Sequence, residues 1–340
     1  MFNNGTFIVA ELSANHSHNI DVAKKTIIAA KDSGADAIKL QTYTPDTITI
    51  DCDNEYFQIK HGTIWDGQTL YALYKEAYTP WEWHRELKRL AESLGLVFFS
   101  TPFDKTAVDF LEELNVTIYK IASLEIVDIP LIKYVASKGK PILVSTGVAN
   151  LEDIELAVKT CRKEGNNDVV LLKCTSSYPA PLEEANLLTI PDMRQRFKVC
   201  VGLSDHTMGI DTSVAAVALG AKVIEKHFIL DRTLGGPDAS FSMEPNEFKK
   251  MVNSVRNVEK AVGKVSYDLS EKTRKSREFS KSLFVVEDVK KGEKLSEKNI
   301  RSIRPGCGLH PKHYYEVLSC QATKDLVKGT PLNRDMFKRL

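Results

Sequence analysis

The amino-acid sequence predicts an α/β fold, a (β/α)8 TIM barrel followed by a small second domain. Three observations lead there. Eight short apolar runs recur along the first ~230 positions, each four to six residues rich in Ile, Val, Leu, Ala or Phe, as in strands buried on both faces. Most are followed by a stretch of helical periodicity, which implies parallel strands joined by helices. Their number, over a length near the ~250 residues usual for such folds, selects a closed barrel over an open doubly wound sheet. At 340 residues the chain is too long for one barrel and too short for two, so one small extra domain is the economical reading.

The first run, FIVAEL, leads into the amphipathic stretch IDVAKKTIIAAKDSG, and the second is AIKLQTY. Residues 44–79 then form a connection far longer than the few residues usual between a barrel strand and its helix. On the rim of a barrel such an excursion is commonly a lid or substrate loop, the alternative being a surface decoration. PWEWHRELKRLAESLG supplies the helix before the third run, LVFFSTPF, and DKTAVDFLEELN the one after it. IYKIAS, ILVSTG with its helix LEDIELAVKTCRKEG, VVLLKCTSSYP, KVCVGLSDH and KVIEKHF complete the set. Gly and Asn at the helix ends are ordinary stop signals. NEFKKMVNSVRNVEKAVG closes the barrel domain, residues 1–265, and the charged stretch within 266–282 is expected to be a linker. In the second domain, residues 283–340, Asp288-Val-Lys-Lys-Gly292 matches Asp325-Leu-Val-Lys-Gly329, 37 residues on. Two matched half-motifs predict short strands and turns related by a pseudo-two-fold axis.

A formal net charge of +1 gives no electrostatic case for nucleic acid or an anionic membrane. No apolar stretch nears the ~18 residues of a membrane helix and no signal peptide precedes the first strand, so a cytoplasmic protein is expected. Six cysteines (Cys52, Cys161, Cys174, Cys200, Cys307, Cys320) form no CxxC pair, and reduced thiols are expected in preference to disulfides or a zinc site.

TIM barrels place their active sites at the C-terminal ends of the strands. Here those ends read Glu11, Lys39 with Gln41, Thr101, Lys120 with Ser123, Ser145, Thr175 through Tyr178, Ser204 through His206, and His227. His206 and His227 close neighbouring strands, and two neutral imidazoles beside carboxylates suit a divalent transition metal with water positions left open. Glu225, two residues before His227, faces the same way, either toward a metal-bound water or toward an inward lysine. Lys39 and Lys120 cannot sit unpaired in a barrel interior at low cost. Either they pair with Glu11 and Glu225 or they await an anion. The hydroxyls of Thr101, Ser123, Ser145 and Ser176 around them suit phosphate oxygens, although no phosphate-binding glycine loop is present. A Schiff-base role for one lysine is the chemical competitor.

The strings AELSANH, KLQTY, STPF, YKIAS, VSTG, CTSSYP, GLSDHT, EKHF, GGPDASFS and RPGCGLHP together resemble the sialic acid synthase family, over nearly the whole chain. QTYTPDT, IWDGQTLYALY, TPWEWH and GLHPK bring it nearest to that family's pseudaminate-forming branch. The resemblance implies a TIM barrel joined to an antifreeze-like (SAF) domain. It also implies condensation of phosphoenolpyruvate with an acetamido sugar and water, with carbon–oxygen cleavage and release of phosphate. Carried over motif by motif, the metal ligands fall on His206 and His227, for Mn2+ or Mg2+. Phosphoenolpyruvate contacts fall on Lys39, Thr101, Lys120, Ser123, Ser145, Ser204 and Ser176, the last standing where the N-acetylneuraminate branch has asparagine. Sugar contacts fall on Glu11, Gln41, Tyr178 and Asp238. Arg304 corresponds to an arginine contributed by the other subunit of a domain-swapped homodimer. Glu11, Lys39 and Lys120 are the expected catalytic groups, Glu11 for proton transfer.

Plainer roles stand beside these. Glu11 can be the internal partner of a lysine, Asp238 a turn residue in GGPD, Ser123 and Ser145 small residues at tight turns, and Arg304 a surface residue. Trp65, Trp81 and Trp83 are expected to pack rather than to stack on a sugar. Legionaminate or N-acetylneuraminate synthesis is the alternative within the family. A glycan-binding module on a decayed barrel is the alternative outside enzymes, against which the intact His206, His227, Lys39, Lys120 and Glu11 argue.

Overall fold

The computed structural model describes residues 5–60 and 62–340. Among them the chain forms two compact units, one ending at Gly263 and the other spanning Lys264–Leu340. In the first, eight parallel strands close a barrel in chain order: β1 (Phe7–Glu11), β2 (Ala37–Thr42), β3 (Val97–Pro102), β4 (Tyr119–Ile121), β5 (Ile142–Ser145), β6 (Val169–Cys174), β7 (Cys200–Asp205) and β8 (Val223–His227). The outer helices pack on the sheet through α1 (Ile20–Asp32), whose Asn19 cap accepts from the Asp21 N–H, and α4 (Trp81–Ser93). They continue through α5 (Lys105–Glu113), α6 (Ile129–Ala136), α7 (Leu151–Lys163), α8 (Thr189–Phe197), α9 (Asp211–Ala218) and α10 (Pro245–Val262).

Side chains alternate along a strand, so every second residue of the barrel faces inward. On the inner face Phe7, Val9, Ala37, Phe99, Ile118, Leu143, Val170, Leu172 and Val223 fill the N-terminal half. The same parity continued to the strand ends gives Glu11, Lys39, Gln41, Thr101, Lys120, Ser145, Ser204, Glu225 and His227. The apolar plug therefore forms the floor of a polar mouth. Gly202 is part of that floor, because a Cβ there would lie 2.5 Å from the Val223 carbonyl and 2.7 Å from Leu172.

The excursion at 44–79 is not one open loop. It holds two helices, α2 (Pro45–Ile48) and α3 (Leu70–Ala77), and between them a narrow hairpin closed by a Gln58–Thr69 bridge. Proline in the first turn of α2 and Thr69 capping α3 are start signals short enough to be hidden in sequence. Thr79 is buried where the chain rejoins the barrel wall.

The second unit differs from the expected layout at its start. Residues expected to form a linker carry the short helix α11 (Glu271–Arg277), and Ser282 already belongs to β9 (Ser282–Val285). β9 pairs with β10 (Ile300–Ile303), and β11 (Cys320–Ala322) with β12 (Phe337–Arg339), the helix α12 (Tyr314–Val317) lying between β10 and β11. The repeat is visible in the hydrogen bonds. Val289 and Leu326 exchange both backbone bonds at 2.8 Å, Asp288 Oδ1 accepts from the Lys328 N–H and Asp325 Oδ1 from the Lys291 N–H, each at 2.8 Å. Among the described residues no helix is long and apolar enough to cross a membrane.

Candidate active site

Register assembles the mouth. Glu11 of β1 lies beside Lys39 of β2 on one side and His227 of β8 on the other, Gln41 is level with Thr101, and Ser204 is level with Glu225. Lys39 Nζ stands 2.7 Å from Glu11 Oε2 and donates to Thr101 Oγ1 at 3.2 Å. Lys39 and Lys120 are each 3.9 Å from Glu225 Oε1, which also accepts from Ser204 Oγ at 3.0 Å. Lys120 Nζ donates to Ser145 Oγ at 2.6 Å and to the Ile121 carbonyl at 2.9 Å. Glu225 is thus the internal partner of both lysines, while its Oε2 is buried without a hydrogen bond. Glu11 has the lysine partner that the plainer role required.

Two lysines and two carboxylates at a few per cent exposure hold their charges unequally. Burial, repulsion from Glu225 and only partial compensation by Lys39 push the Glu11 carboxyl up to about 7. Burial also raises Glu225, but Lys120 and Lys39 together hold it below the usual carboxylate range. Loss of water lowers Lys120, whereas Glu11 and Glu225 outweigh burial at Lys39 and raise it.

The histidines adjoin this cluster, with ring centroids 5.4 Å apart. His206 Nδ1 lies 2.9 Å from the Thr175 carbonyl, which only accepts, so Nδ1 carries the proton and Nε2 presents its lone pair. His227 Nδ1 is buried without a hydrogen bond, 3.6 Å from Asp238 Oδ2. Burial, and then His206, lower His227 well below the ordinary imidazole range. Two imidazoles with free ring nitrogens suit one divalent ion. Among the described residues no group of three metal-binding side chains surrounds a common point, so the remaining positions would fall to water and substrate.

Tyr178 covers His206 at 4.3 Å between centroids and contacts Phe241 at 5.1 Å. Gln41 Nε2 donates to Ser13 Oγ at 2.8 Å and to Glu11 Oε1 at 3.3 Å. Asp238 accepts from the Ala14 N–H and is buried, so its turn position and a site position coincide. Ser123 Oγ accepts from the Gly147 N–H at 3.1 Å, and Ser176 Oγ is buried without a partner. Arg304 belongs to the second unit, where it is exposed.

Several residues at this mouth escaped sequence reasoning. A Cβ on Gly147 would collide with Ser176 Oγ, and would lie 2.7 Å from Ser123 Oγ and 3.1 Å from Cys174 Sγ. The missing side chain keeps a small cradle open between these groups. Cys174 Sγ is 3.7 Å from His206 Nδ1; burial raises the thiol, but His206 draws it down to about 7. Glu125, two positions after Ser123 on a 3-10 turn (Leu124–Val127), has a buried Oε2 without a hydrogen bond and is pushed up by burial to about 7. Ser13 bridges toward Gln41. Only the strand-end serines and threonines gave a signal for such positions. Trp81 and Trp83 pack as expected, Trp81 stacked on Phe110 at 4.8 Å and Trp83 edge-on to His16 at 5.6 Å.

A model of the NeuB family matches residues 26–267, and a model of the SAF domain matches residues 280–338. A pseudaminic acid synthase of Campylobacter jejuni is 48% identical over 332 residues, 98% of this chain and 96% of that protein. An N,N'-diacetyllegionaminic acid synthase of the same species is 40% identical over 324 residues, 94% of this chain and 96% of that protein. Among solved structures, an N-acetylneuraminic acid synthetase of Leptospira borgpetersenii in complex with citrate superposes with a TM-score of 0.72 at 33% identity, covering 81% of this chain and 90% of that one.

Proposed function

The chain belongs to the NeuB family, and from that premise we propose the reaction its barrel carries. It is a phosphoenolpyruvate-using transferase of the sialic acid synthase type. Its acceptor is 2,4-diacetamido-2,4,6-trideoxy-β-L-altropyranose, and its products are pseudaminate and inorganic phosphate. The observation that supports the chemistry is the under-satisfied ion cluster of Lys39, Lys120, Glu11 and Glu225 beside the paired imidazoles. The choice of acceptor rests on 48% identity to a pseudaminic acid synthase against 40% to a legionaminate-forming relative.

Lys39 and Lys120, with Thr101, Ser123, Ser145, Ser176 and Ser204, hold the carboxylate and phosphate of phosphoenolpyruvate. Fixed donors of this kind stabilise shifting charge without reorganising solvent. C3 of phosphoenolpyruvate attacks the aldehyde carbon of the open-chain sugar, forming a carbon–carbon bond and leaving an oxocarbenium-like C2. Water adds at C2, and the C2–O bond to phosphate then breaks, giving the keto acid. The water loses both its protons on the way to the keto oxygen: one matches the proton gained by the aldehyde oxygen, and the other, lost from the C2 hydroxyl as the C2–O bond breaks, leaves with the phosphate. Glu11, with a carboxyl near 7, can give or take a proton at neutral pH. A divalent Mn2+ or Mg2+ held by His206 and His227 would supply Lewis-acid polarisation of the aldehyde oxygen. Gln41, Tyr178 and Asp238 orient the sugar. Arg304 of one subunit serves the sugar site of the other in a domain-swapped homodimer, donating to an N-acyl carbonyl through its planar fork. We place the reaction in the cytoplasm.

Phosphate release from phosphoenolpyruvate with Mn2+ tests the reading, comparing the altrose acceptor, its 6-deoxy mannose isomer and N-acetylmannosamine. Turnover with the altrose compound is expected to exceed by far that with either other sugar. Preference for another sugar would overturn the acceptor, and no turnover with any would overturn the reaction.

A further inference from the structure

The tip of the excursion is built to display one side chain. The strands of its hairpin are tied by Ile59 N–H to the Gln68 carbonyl at 2.9 Å and by Gly67 N–H to the Ile59 carbonyl at 3.1 Å. At the tip, the Asp66 carboxylate accepts from the Gly62 N–H, the Thr63 N–H and the Thr63 hydroxyl, each at 2.9 Å. Three bonds to one carboxylate fix a turn that would otherwise be free. From 62 to 68 every residue is exposed except Trp65, which is half-buried.

Trp65 leans against the site with its ring half-buried. Its ring lies 5.6 Å from the Tyr178 ring, which in turn covers His206. Its indole N–H donates at 3.1 Å to the Pro237 carbonyl, one residue before Asp238. One bond thus anchors the tip to the segment carrying Asp238, and one ring contact joins it to Tyr178, so Trp65 touches the carriers of two sugar contacts at once. Its polar edge is used by Pro237, leaving only apolar ring surface to offer a ligand. With Phe241, itself 5.0 Å from His227, it gives the sugar side of the mouth an aromatic wall.

We propose that Trp65 is a specificity-determining residue, presenting its ring to the deoxy methyl end of the acceptor sugar. The inference rests on the reading of the barrel as a synthase acting on a 6-deoxy sugar. With its aldehyde at the histidines, as the proposed function has it, a six-carbon chain of ~1.5 Å bonds is long enough to pass the Tyr178 ring, whose ring neighbours include both His206 and Trp65. A methyl group gains from an apolar wall, whereas a hydroxymethyl group would leave its hydroxyl unpaired there. Discrimination by one such group in an apolar pocket is roughly 10- to 200-fold.

The test compares wild type with Trp65→Ala and Trp65→Phe. We expect Trp65→Ala to lower kcat/KM for the 6-deoxy acceptor roughly 10- to 100-fold through KM, with Trp65→Phe intermediate. The residual rate with N-acetylmannosamine and the KM for phosphoenolpyruvate should hold within about threefold. Equal losses on both acceptors, or none, would overturn the proposal while leaving the synthase reading intact; a wild type inactive on every acceptor would overturn that reading instead. A second readout is independent of turnover. The chain has three tryptophans, so Trp81→Phe with Trp83→Phe leaves Trp65 as the sole indole. Its emission should shift when the reduced, unreactive 6-deoxy alditol binds; an unchanged spectrum at a concentration that protects the protein thermally would contradict the proposal.

Discussion

Two buried ion clusters sit on opposite faces of the same barrel wall, and they are finished to different degrees. Asp205 and Lys226 point outward from β7 and β8, and both are about 2% exposed. Lys226 Nζ meets Asp205 Oδ2 at 2.8 Å and the Thr207 carbonyl at 2.6 Å. Asp205 accepts further bonds from the Thr207 N–H and hydroxyl, Thr212 Oγ1 and Ser213 Oγ, so both its oxygens are used. One residue along each strand, Glu225 and Ser204 face inward to the Lys39 and Lys120 cluster. There the lysines stand 3.9 Å from Glu225, one Glu225 oxygen has no hydrogen bond, and Ser176 Oγ is buried unpaired. The chemistry of the residues is the same. The complete cluster is structure, fixing the backbone on which His206 and His227 are mounted, whereas the inward one keeps unpaired oxygens and, under the proposed function, is where the anionic substrate binds.

The largest effect should separate the two clusters by what they lose. Lys120→Met is expected to cut kcat/KM by on the order of 1,000-fold, since it removes a fixed cation from the developing charge, yet to leave Tm within a few degrees. Measured side by side, Lys226→Met should show the reverse emphasis. It strands Asp205 in a dry environment and costs about 3–5 kcal/mol in urea unfolding. If both variants lost stability equally, the distinction between the clusters would fail.

Glu125 sharpens the comparison, because its half-buried carboxyl, with Oε2 enclosed and without a hydrogen bond, has less compensation than either cluster. Its folded value near 7 lies above the ordinary 4.5, so the protonated form is favoured on folding. The contribution is present in full below about pH 4.5 and is lost as pH rises through 7. Glu125→Gln, which keeps the neutral form at every pH, should gain stability relative to wild type between pH 5 and pH 8, by on the order of 2 kcal/mol. Parallel Tm profiles across that window would contradict the assignment. Asp205 has the opposite sign: although burial raises it, Lys226 and the hydroxyl donors hold it below the ordinary value, and its contribution is lost only in acid.

Smaller effects follow at the edges of each cluster. Gly147→Ala fills the cradle among Ser123, Ser176 and Cys174 and should raise KM for phosphoenolpyruvate about tenfold. Adding Ser176→Ala removes the oxygen that the new methyl would strike, and part of that loss should be recovered. On the outward face, Ser213→Ala deletes one of several donors to Asp205 and should cost about 1 kcal/mol in unfolding, with activity unchanged.

Much of this was legible because a barrel strand is simple. Period two, combined with a polar residue at the strand end, was enough to bring Glu11, Lys39, Gln41, Thr101, Lys120, Ser145, Ser204 and His227 to one mouth. Where the chain leaves the strand, that logic stops. Glu125 is aimed inward by a 3-10 turn, and its string SLEIVD reads as surface. Gly147 matters through what a Cβ there would strike, the side chains of Ser123, Cys174 and Ser176 at the ends of β4 and β6, and no local pattern records it. The helices inside 44–79 are too short to display a period. Trp65 was expected to pack, as it does, but its packing partner is Tyr178. The weak repeat in the second domain was legible for the opposite reason. Each Asp and each glycine at positive φ serves the other half of the motif, so the pairing had to appear twice.

Under the proposed function, phosphoenolpyruvate is the partner that completes the inward cluster. Thermal unfolding of wild type and Lys120→Met, each with and without phosphoenolpyruvate at about 100 times the wild-type Kd, tests this most directly. A ligand bound only to the folded state at that excess stabilises by about 2.7 kcal/mol. Wild type should therefore show a Tm rise of several degrees and Lys120→Met almost none. An equal rise in both proteins would mean that the anion binds elsewhere and that the inward cluster, like the outward one, is structure.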